Sequence, residues 1–174
     1  MTELDEAWEL ALAEAKQRAR KAGRADIADY LDLRAKNDLL RRTGIDWLKH
    51  AVISLAANAN RRGAGIQIEQ QDAHRFRRGS ATMVGSQLTL RRGVRALTVE
   101  SGWPRTPRDG FVSGGGLAYA TLKHFGRHRA NAELLLAQSS RGVPQWLITE
   151  KGREQTPLSE NHLREHFSLL LSES

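Results

Sequence analysis

The spacing of apolar residues changes from one period to another close to residue 63. Before that point apolar residues recur every three or four positions, which is the period of an amphipathic helix. From Gly65 to Glu150, short runs alternate apolar and polar residues between glycines, as β-strands do. A helical pattern then returns at the end. The sequence therefore predicts an α+β fold: a helical segment over 1–62, then a mostly antiparallel sheet with a C-terminal helix packed on it over 63–174, together forming one compact unit.

The helical segment is predicted to contain about three helices. The first covers residues 3–22, which contain no Gly or Pro, and Gly23 is expected to end it. The second runs from about residue 25 to 42, and Gly44 is expected to separate it from a third helix that starts near Asp46. The apolar stripe of the first helix consists of Trp8, Leu12, Ala15 and Ala19.

The C-terminal helix is marked by an apolar face and by a residue that can cap its first turn. Either Thr156 or Ser159 can supply the capping hydroxyl. His162 and His166 do not fall on the apolar face, so we expect them to face solvent. That apolar face consists of Leu163, Phe167, Leu170 and Leu171.

Two strand registers remain open around the turn at Arg92–Gly93. A two-residue turn pairs Leu90 with Arg95 and collects the apolar residues of both strands on one face. A three-residue turn with Gly93 in the left-handed conformation pairs Leu90 with Val94 and suits the turn chemistry better. Because a one-residue slip moves a side chain to the other face, the face of Arg95 stays open. The register of the two-residue turn places four apolar residues on one face: Leu88, Leu90, Leu97 and Val99.

Positive charge is concentrated in the middle of the chain. The whole sequence has 27 basic and 20 acidic residues, a net charge of +7, but residues 46–130 alone hold fourteen basic and five acidic residues. Most of these cations are arginines, whose planar fork matches phosphate and carboxylate geometry. The expected partner is therefore an anion: nucleic acid, an anionic membrane face or an acidic protein.

Several classes of protein are excluded or disfavoured by composition. The chain has no Cys, so it has no disulfide scaffold, no thiolate zinc site and no cysteine nucleophile. No stretch approaches the roughly 20 apolar residues that a membrane span needs. The acidic start, residues 1–14, lacks the apolar core of a secretory signal. We therefore expect a cytoplasmic protein with no membrane partner and no cofactor.

Four basic clusters lie near predicted strand ends, and the leading functional prediction depends on them. They are His74 to Arg78, Arg91 to Arg95, Arg105 with Arg108, and Lys123 to Arg129. If the hairpins point the same way, their tips converge into one positive patch, beside which Trp103, Phe111 and Phe125 can offer stacking faces. The alternative is that each arginine pairs with a nearby acid, namely Glu69, Asp72, Glu100 or Asp109. The prediction is a non-enzymatic module that binds an anionic polymer, nucleic acid first. Its predicted contacts are Arg75, Arg77, Arg78, Arg91, Arg92, Arg95, Trp103, Arg105, Arg108, Lys123, Arg127 and Arg129.

Two other functions stay open. The stripe of helix 3–22 suits a partner helix, which predicts an assembly component or self-association. Alternatively, the Gly- and Pro-rich segment 101–116 and His124 could serve an enzyme acting on a phosphorylated substrate. His74, Glu100 and Asp109 could supply further acid and base groups, although no spacing demands it.

No metal site is predicted. His124 and His128 are four residues apart, a spacing that can chelate a metal on a helix, but Gly126 lies between them and the local pattern is strand then turn.

Overall fold

We describe the protein in a computed structural model that covers residues 3–105 and 116–173. This part of the chain forms three α-helices and one seven-stranded antiparallel sheet, which confirms the predicted α+β class. The helices are α1 (Glu3–Lys21), α2 (Ala25–Arg61) and α3 (Glu160–Leu171). The strands are β1 (Gln67–Arg78), β2 (Ala81–Arg92), β3 (Arg95–Pro104), β4 (Ala118–His124), β5 (Ala132–Gln138), β6 (Pro144–Thr149) and β7 (Thr156–Pro157).

The chain divides into two compact units, Met1–Leu39 and Leu40–Ser174. This division falls earlier than the change of sequence pattern near residue 63, because the second half of α2 packs on the sheet. Within the first unit, α1 and the start of α2 are joined by ion pairs from Lys16 and Arg20 to Asp32. The hydrogen bond from Lys16 is the main reason that the pKa of the Asp32 carboxyl lies below its usual value.

The predicted break at Gly44 is wrong, and the N-terminal segment contains two helices rather than three. Gly44 lies inside the continuous helix α2, where a Cβ atom would stand 2.7 Å from Leu136 Cδ1. Its carbonyl oxygen accepts a hydrogen bond of 2.8 Å from Trp146 Nε1. The glycine therefore permits close contact between helix and sheet and does not end the helix. Gly23, with φ of +72°, does follow α1 as predicted.

The seven strands follow one another in sequence order across the sheet. Helices α2 and α3 pack on one face, which we call the covered face. A smaller apolar cluster on the opposite face consists of strand residues alone: Met83, Tyr119 and Leu135, with Phe76 and Ala81 against them. The main core on the covered face includes Leu48, Val52, Leu88, Leu90, Leu97, Val99, Leu122, Leu134, Leu136, Leu163, Phe167 and Leu170.

Both registers predicted for the β2–β3 hairpin are wrong. The turn residues are Gly93 and Val94, and Leu90 pairs with Leu97. Gly93 has φ of +60°, which is what a type II′ turn requires at its first central position. The observed partner of Leu90 is two residues further along β3 than the two-residue turn predicted. A shift of two residues leaves every side chain on the same face, so the apolar residues expected to share a face do lie together on the covered face. Arg95, whose face the sequence left open, pairs with Arg92 on that same side.

Because the sheet is a simple antiparallel meander, successive connections alternate between its two ends. The β2–β3 turn and the β4–β5 connection lie at one end, which we call the β2–β3 end. The β1–β2 turn and the start of the β3–β4 connection lie at the other, the β1–β2 end. This alternation decides where each basic cluster lies.

Candidate nucleic-acid interface

The basic clusters meet in two pairs at opposite ends of the sheet and not on a single edge. Strand β2 joins the two ends and is 12 residues long, so the pairs stand roughly 35 Å apart. Arg108 and Phe111 lie outside the described residues. The β1–β2 end carries Arg75, Arg77, Arg78 and Arg105, and the β2–β3 end carries Arg91, Arg92, Arg95, Lys123, Arg127 and Arg129.

Three arginines at the β2–β3 end hold the C-terminal end of α3. Arg92 Nη1 donates to Leu171 O at 2.8 Å, and Arg95 Nη1 donates to Leu169 O at 3.1 Å. Arg95 Nη1 and Arg127 Nη1 also donate to the Ser172 hydroxyl, at 3.1 and 3.2 Å. The last carbonyls of a helix have no partner within it, and cations there complement its dipole. Three predicted nucleic-acid contacts therefore already have a structural role.

One sequence signal points to this arrangement. The last turn of α3 contains no basic residue of its own. A helix end that lacks Lys, Arg or His must be neutralised by water or by other elements. The signal shows that partners are needed but does not identify them. Ser172, which the sequence analysis did not single out, is the residue that joins Arg95 to Arg127.

His124 and His166 form a buried contact between β4 and α3. Their Nε2 and Nδ1 atoms share a hydrogen bond of 2.8 Å, and the rings are stacked. Burial, with further contributions from His166 and Arg127, lowers the pKa of His124 to about 4. Burial also lowers the pKa of His166. The expected solvent-facing position of His166 is therefore wrong, whereas the predicted capping of α3 by Ser159 is confirmed.

Other side chains at the β2–β3 end point outward. Phe125 is 75% exposed and Val94 is 84% exposed, although both are apolar. The Phe125 N–H donates to Ala96 O at 2.9 Å, which brings the start of the β4–β5 connection beside the β2–β3 turn. Arg91 and Arg129 are exposed as well. The exposed ring of Phe125 thus lies at the same end of the sheet as two exposed cations, Arg91 near the end of β2 and Arg129 in the β4–β5 connection.

The β1–β2 end presents its aromatic residues differently. Trp103 is only 7% exposed, and the Arg105 guanidinium lies 3.5 Å from its ring centroid. Arg78 covers the Tyr119 ring in the same way, at 3.9 Å. Arg75 and Arg77 are exposed. This end therefore has outward-facing cations, but the stacking face expected at Trp103 is covered by an arginine.

A buried carboxylate links three strands on the face opposite the helices. Glu100 Oε1 lies 2.7 Å from Lys123 Nζ, and its Oε2 lies 2.7 Å from His74 Nε2. Burial by itself raises the pKa of Glu100, but the hydrogen bonds from Lys123 and His74 outweigh it and keep that pKa below its usual value. Lys123 is therefore partly neutralised, as the acid-pairing alternative expected. Arg91 lies 3.6 Å from Glu69, a looser contact between exposed groups.

The described ends of segment 101–116 do not lie beside His124, the other part of the predicted enzyme site. The described ends of segment 101–116 lie at the β1–β2 end, whereas His124 closes β4 at the β2–β3 end. The seven residues of β4 separate them by about 20 Å. His124 is also only 4% exposed, and its imidazole is engaged by His166.

No protein-family model matches the chain, and neither a curated protein nor a solved structure is detectably similar to it. Among helices α1 to α3, none is both long and apolar enough to cross a bilayer. The class that fold and site define is thus an α+β protein with an exposed aromatic ring among cations at one end of its sheet.

Proposed function

We propose that the protein binds nucleic acid at the β2–β3 end of its sheet. The observation that carries this proposal is Phe125, whose ring is 75% exposed between Lys123 and the basic residues Arg127 and Arg129. An exposed apolar ring leaves its face available to a ligand, and covering that face removes apolar surface from water. A base can stack on that ring while neighbouring cations contact phosphates.

The proposed contacts divide into two kinds. Arg91 and Arg129 are exposed and bind phosphates, which releases counterions and makes the affinity strongly dependent on salt. Phe125 stacks on a base of a single strand, which adds affinity with little dependence on sequence. Because phosphate contacts carry no sequence information, the expected base readout is small.

The experiment measures the fluorescence anisotropy of a labelled single-stranded oligonucleotide against protein concentration. Phe125→Ala is expected to weaken binding about five- to 150-fold, because base stacking on an aromatic ring is worth roughly 1–3 kcal/mol. The matched control is Val143→Ala, which removes another exposed apolar side chain, 55% exposed, from the β1–β2 end. Equal affinity for wild type and Phe125→Ala, or binding that is flat from low to high salt, would contradict the proposal.

A second function, assembly through the first unit, is favoured by its exposed apolar residues. Units below about 40 residues usually need oligomerisation or another staple to be stable. Among its described side chains, the buried class contains Ala28 alone, whereas Leu10, Tyr30, Leu33 and Leu39 are 57–65% exposed.

This second proposal is tested by the mass of the protein in solution. If the unit assembles, Tyr30→Ser with Leu33→Ser lowers the mass measured by light scattering, and so does removal of residues 1–23. The control is Val94→Ser, an apolar-to-polar change at the β2–β3 turn. A mass that is the same for wild type and all variants would contradict assembly through this unit.

A further inference from the structure

Three guanidinium groups from three different parts of the sheet converge at the end of α3. Arg92 comes from β2, Arg95 from β3 and Arg127 from the β4–β5 connection. At the end of α3 they donate to two backbone carbonyls and to the hydroxyl of Ser172, and Arg92 Nε also donates to Ala64 O. Proteins recognise phosphate with guanidinium groups placed close together in this way.

We propose that Arg92, Arg95 and Arg127 form a phosphate-binding site that the end of α3 occupies in the free protein. The inference rests on the proposed nucleic-acid binding and specifies where a backbone phosphate is held. Ser172 and the Leu171 carbonyl act as an internal occupant that the ligand displaces. In the free protein the end of α3 therefore blocks part of the site that the ligand would occupy.

The position of the acceptors makes this displacement feasible. Leu170 is 1% exposed and anchors α3 in the core, but the Leu171 carbonyl and Ser172 lie beyond it. Residues at helix ends fray more readily than those within the helix. Leu171 and Ser172 can leave Arg92 and Arg127 while Leu163, Phe167 and Leu170 stay packed, and Arg95 then keeps its hydrogen bond to Leu169 O.

The charges favour exchange. The Leu171 carbonyl and the Ser172 hydroxyl offer Arg92 and Arg127 only a partial negative charge. A phosphate offers a full charge and several acceptor oxygens, and hydrogen bonds between two ionised groups are the stronger ones. The site lies at the same end of the sheet as Phe125, so one strand can reach both.

The experiment compares three variants in the anisotropy assay. Ser172→Ala removes the acceptor shared by Arg95 and Arg127 and is expected to tighten oligonucleotide binding about two- to tenfold. Ser172→Asp places a carboxylate on the same two arginines and is expected to weaken binding at least about fivefold.

The control, Ser168→Asp, adds the same charge one helical turn earlier. Ser168 is exposed and its hydroxyl donates to Arg164 O, so Ser168→Asp should weaken binding clearly less than Ser172→Asp does. Circular dichroism confirms that each variant is folded.

The outcomes separate this inference from the proposed function. If Phe125→Ala weakens binding but Ser172→Ala leaves it unchanged, the interface stands and the internal occupant is refuted. Equal weakening by Ser172→Asp and Ser168→Asp also refutes it, because only net charge would matter. If no oligonucleotide binds, the proposed function fails. Inorganic pyrophosphate then tests the site: it should raise the Tm of Ser172→Ala more than that of wild type, and equal shifts overturn the inference.

Discussion

At the scale of single residues, close approach between elements decides what a glycine does. Gly44 resembles a helix terminator in the sequence, yet it lies inside α2 because Leu136 occupies the space where a side chain would begin. Gly93 combines with Val94, a residue with no turn preference, to form the β2–β3 turn. Local sequence indicates that these glycines are special but does not indicate why.

Gly44→Ala tests this interpretation. Alanine favours a helix over glycine by about 1 kcal/mol, but its methyl group would lie 2.7 Å from Leu136 Cδ1 in a fully buried site, and overpacking costs about 1–3 kcal/mol. We expect a net loss of about 1 kcal/mol in the free energy of unfolding, measured by urea denaturation. Thr43→Ala, an exposed neighbour, should have no such cost. A more stable Gly44→Ala protein would refute the tight contact.

At the scale of elements, the residues that hold the C-terminal end of α3 are ones that the sequence predicted to contact a ligand. The arginines contact its last carbonyls, and His124 contacts His166 in its second turn. The attachment of this helix thus involves two imidazoles, of which His124 is buried, and burial disfavours the protonated form of both. Its attachment should therefore respond to pH.

The direction of this response follows from the pKa of His124. In the unfolded chain a histidine takes up its proton near pH 6.5, whereas His124 in the folded protein does so only near pH 4. Between these values the unfolded chain binds more protons, so the stabilisation is complete above pH 6.5 and is lost as the pH falls towards 4. We expect a loss of about 1–2 kcal/mol, less than the whole shift because nearby water screens the charge.

Urea denaturation at several pH values between 4 and 7 measures this dependence. His124→Gln removes the titrating group and should flatten the slope, whatever it does to stability at neutral pH. His128→Gln, which changes an exposed histidine four residues later, should leave the slope as in wild type. The interpretation fails if His124→Gln keeps the full pH dependence.

At the scale of the whole molecule, the antiparallel meander separates the positive charge into two ends. The net charge of +9 that residues 46–130 carry is therefore not concentrated at one place. An anionic strand bound at one end of the sheet is well beyond a Debye length, about 8–10 Å, from the cations at the other end. Each end can then be tested with variants that change the net charge equally.

Arg91→Ala with Arg129→Ala removes two exposed cations from the β2–β3 end, and Arg75→Ala with Arg77→Ala removes two from the β1–β2 end. The first pair should reduce the slope of log affinity against log salt by about 1.4, since each lost contact with a single strand is worth about 0.7. The second pair should leave the slope unchanged. The reverse result would move the interface to the β1–β2 end.

Several features were determined by the sequence itself because their causes lie within a few neighbouring residues. Helical and alternating periods predicted the α+β class, Gly23 marked the end of α1, and Ser159 marked the start of α3. Parity also placed Leu88, Leu90, Leu97 and Val99 on one face, although the turn between them was wrong. Such signals survive because hydrogen bonds of caps and alternation of side chains are local.

Only the tertiary structure decided the destinations of the cations. Arg92 reaches Leu171, 79 residues away, and Lys123 reaches Glu100 across neighbouring strands. An arginine that will hold a helix end has the same local sequence as one that will face solvent. What distinguishes them is which elements become neighbours, and that depends on strand order and on the packing of α3. The exposure of Phe125 was decided in the same way, because the residues around it in the sequence do not show whether another element will cover its ring.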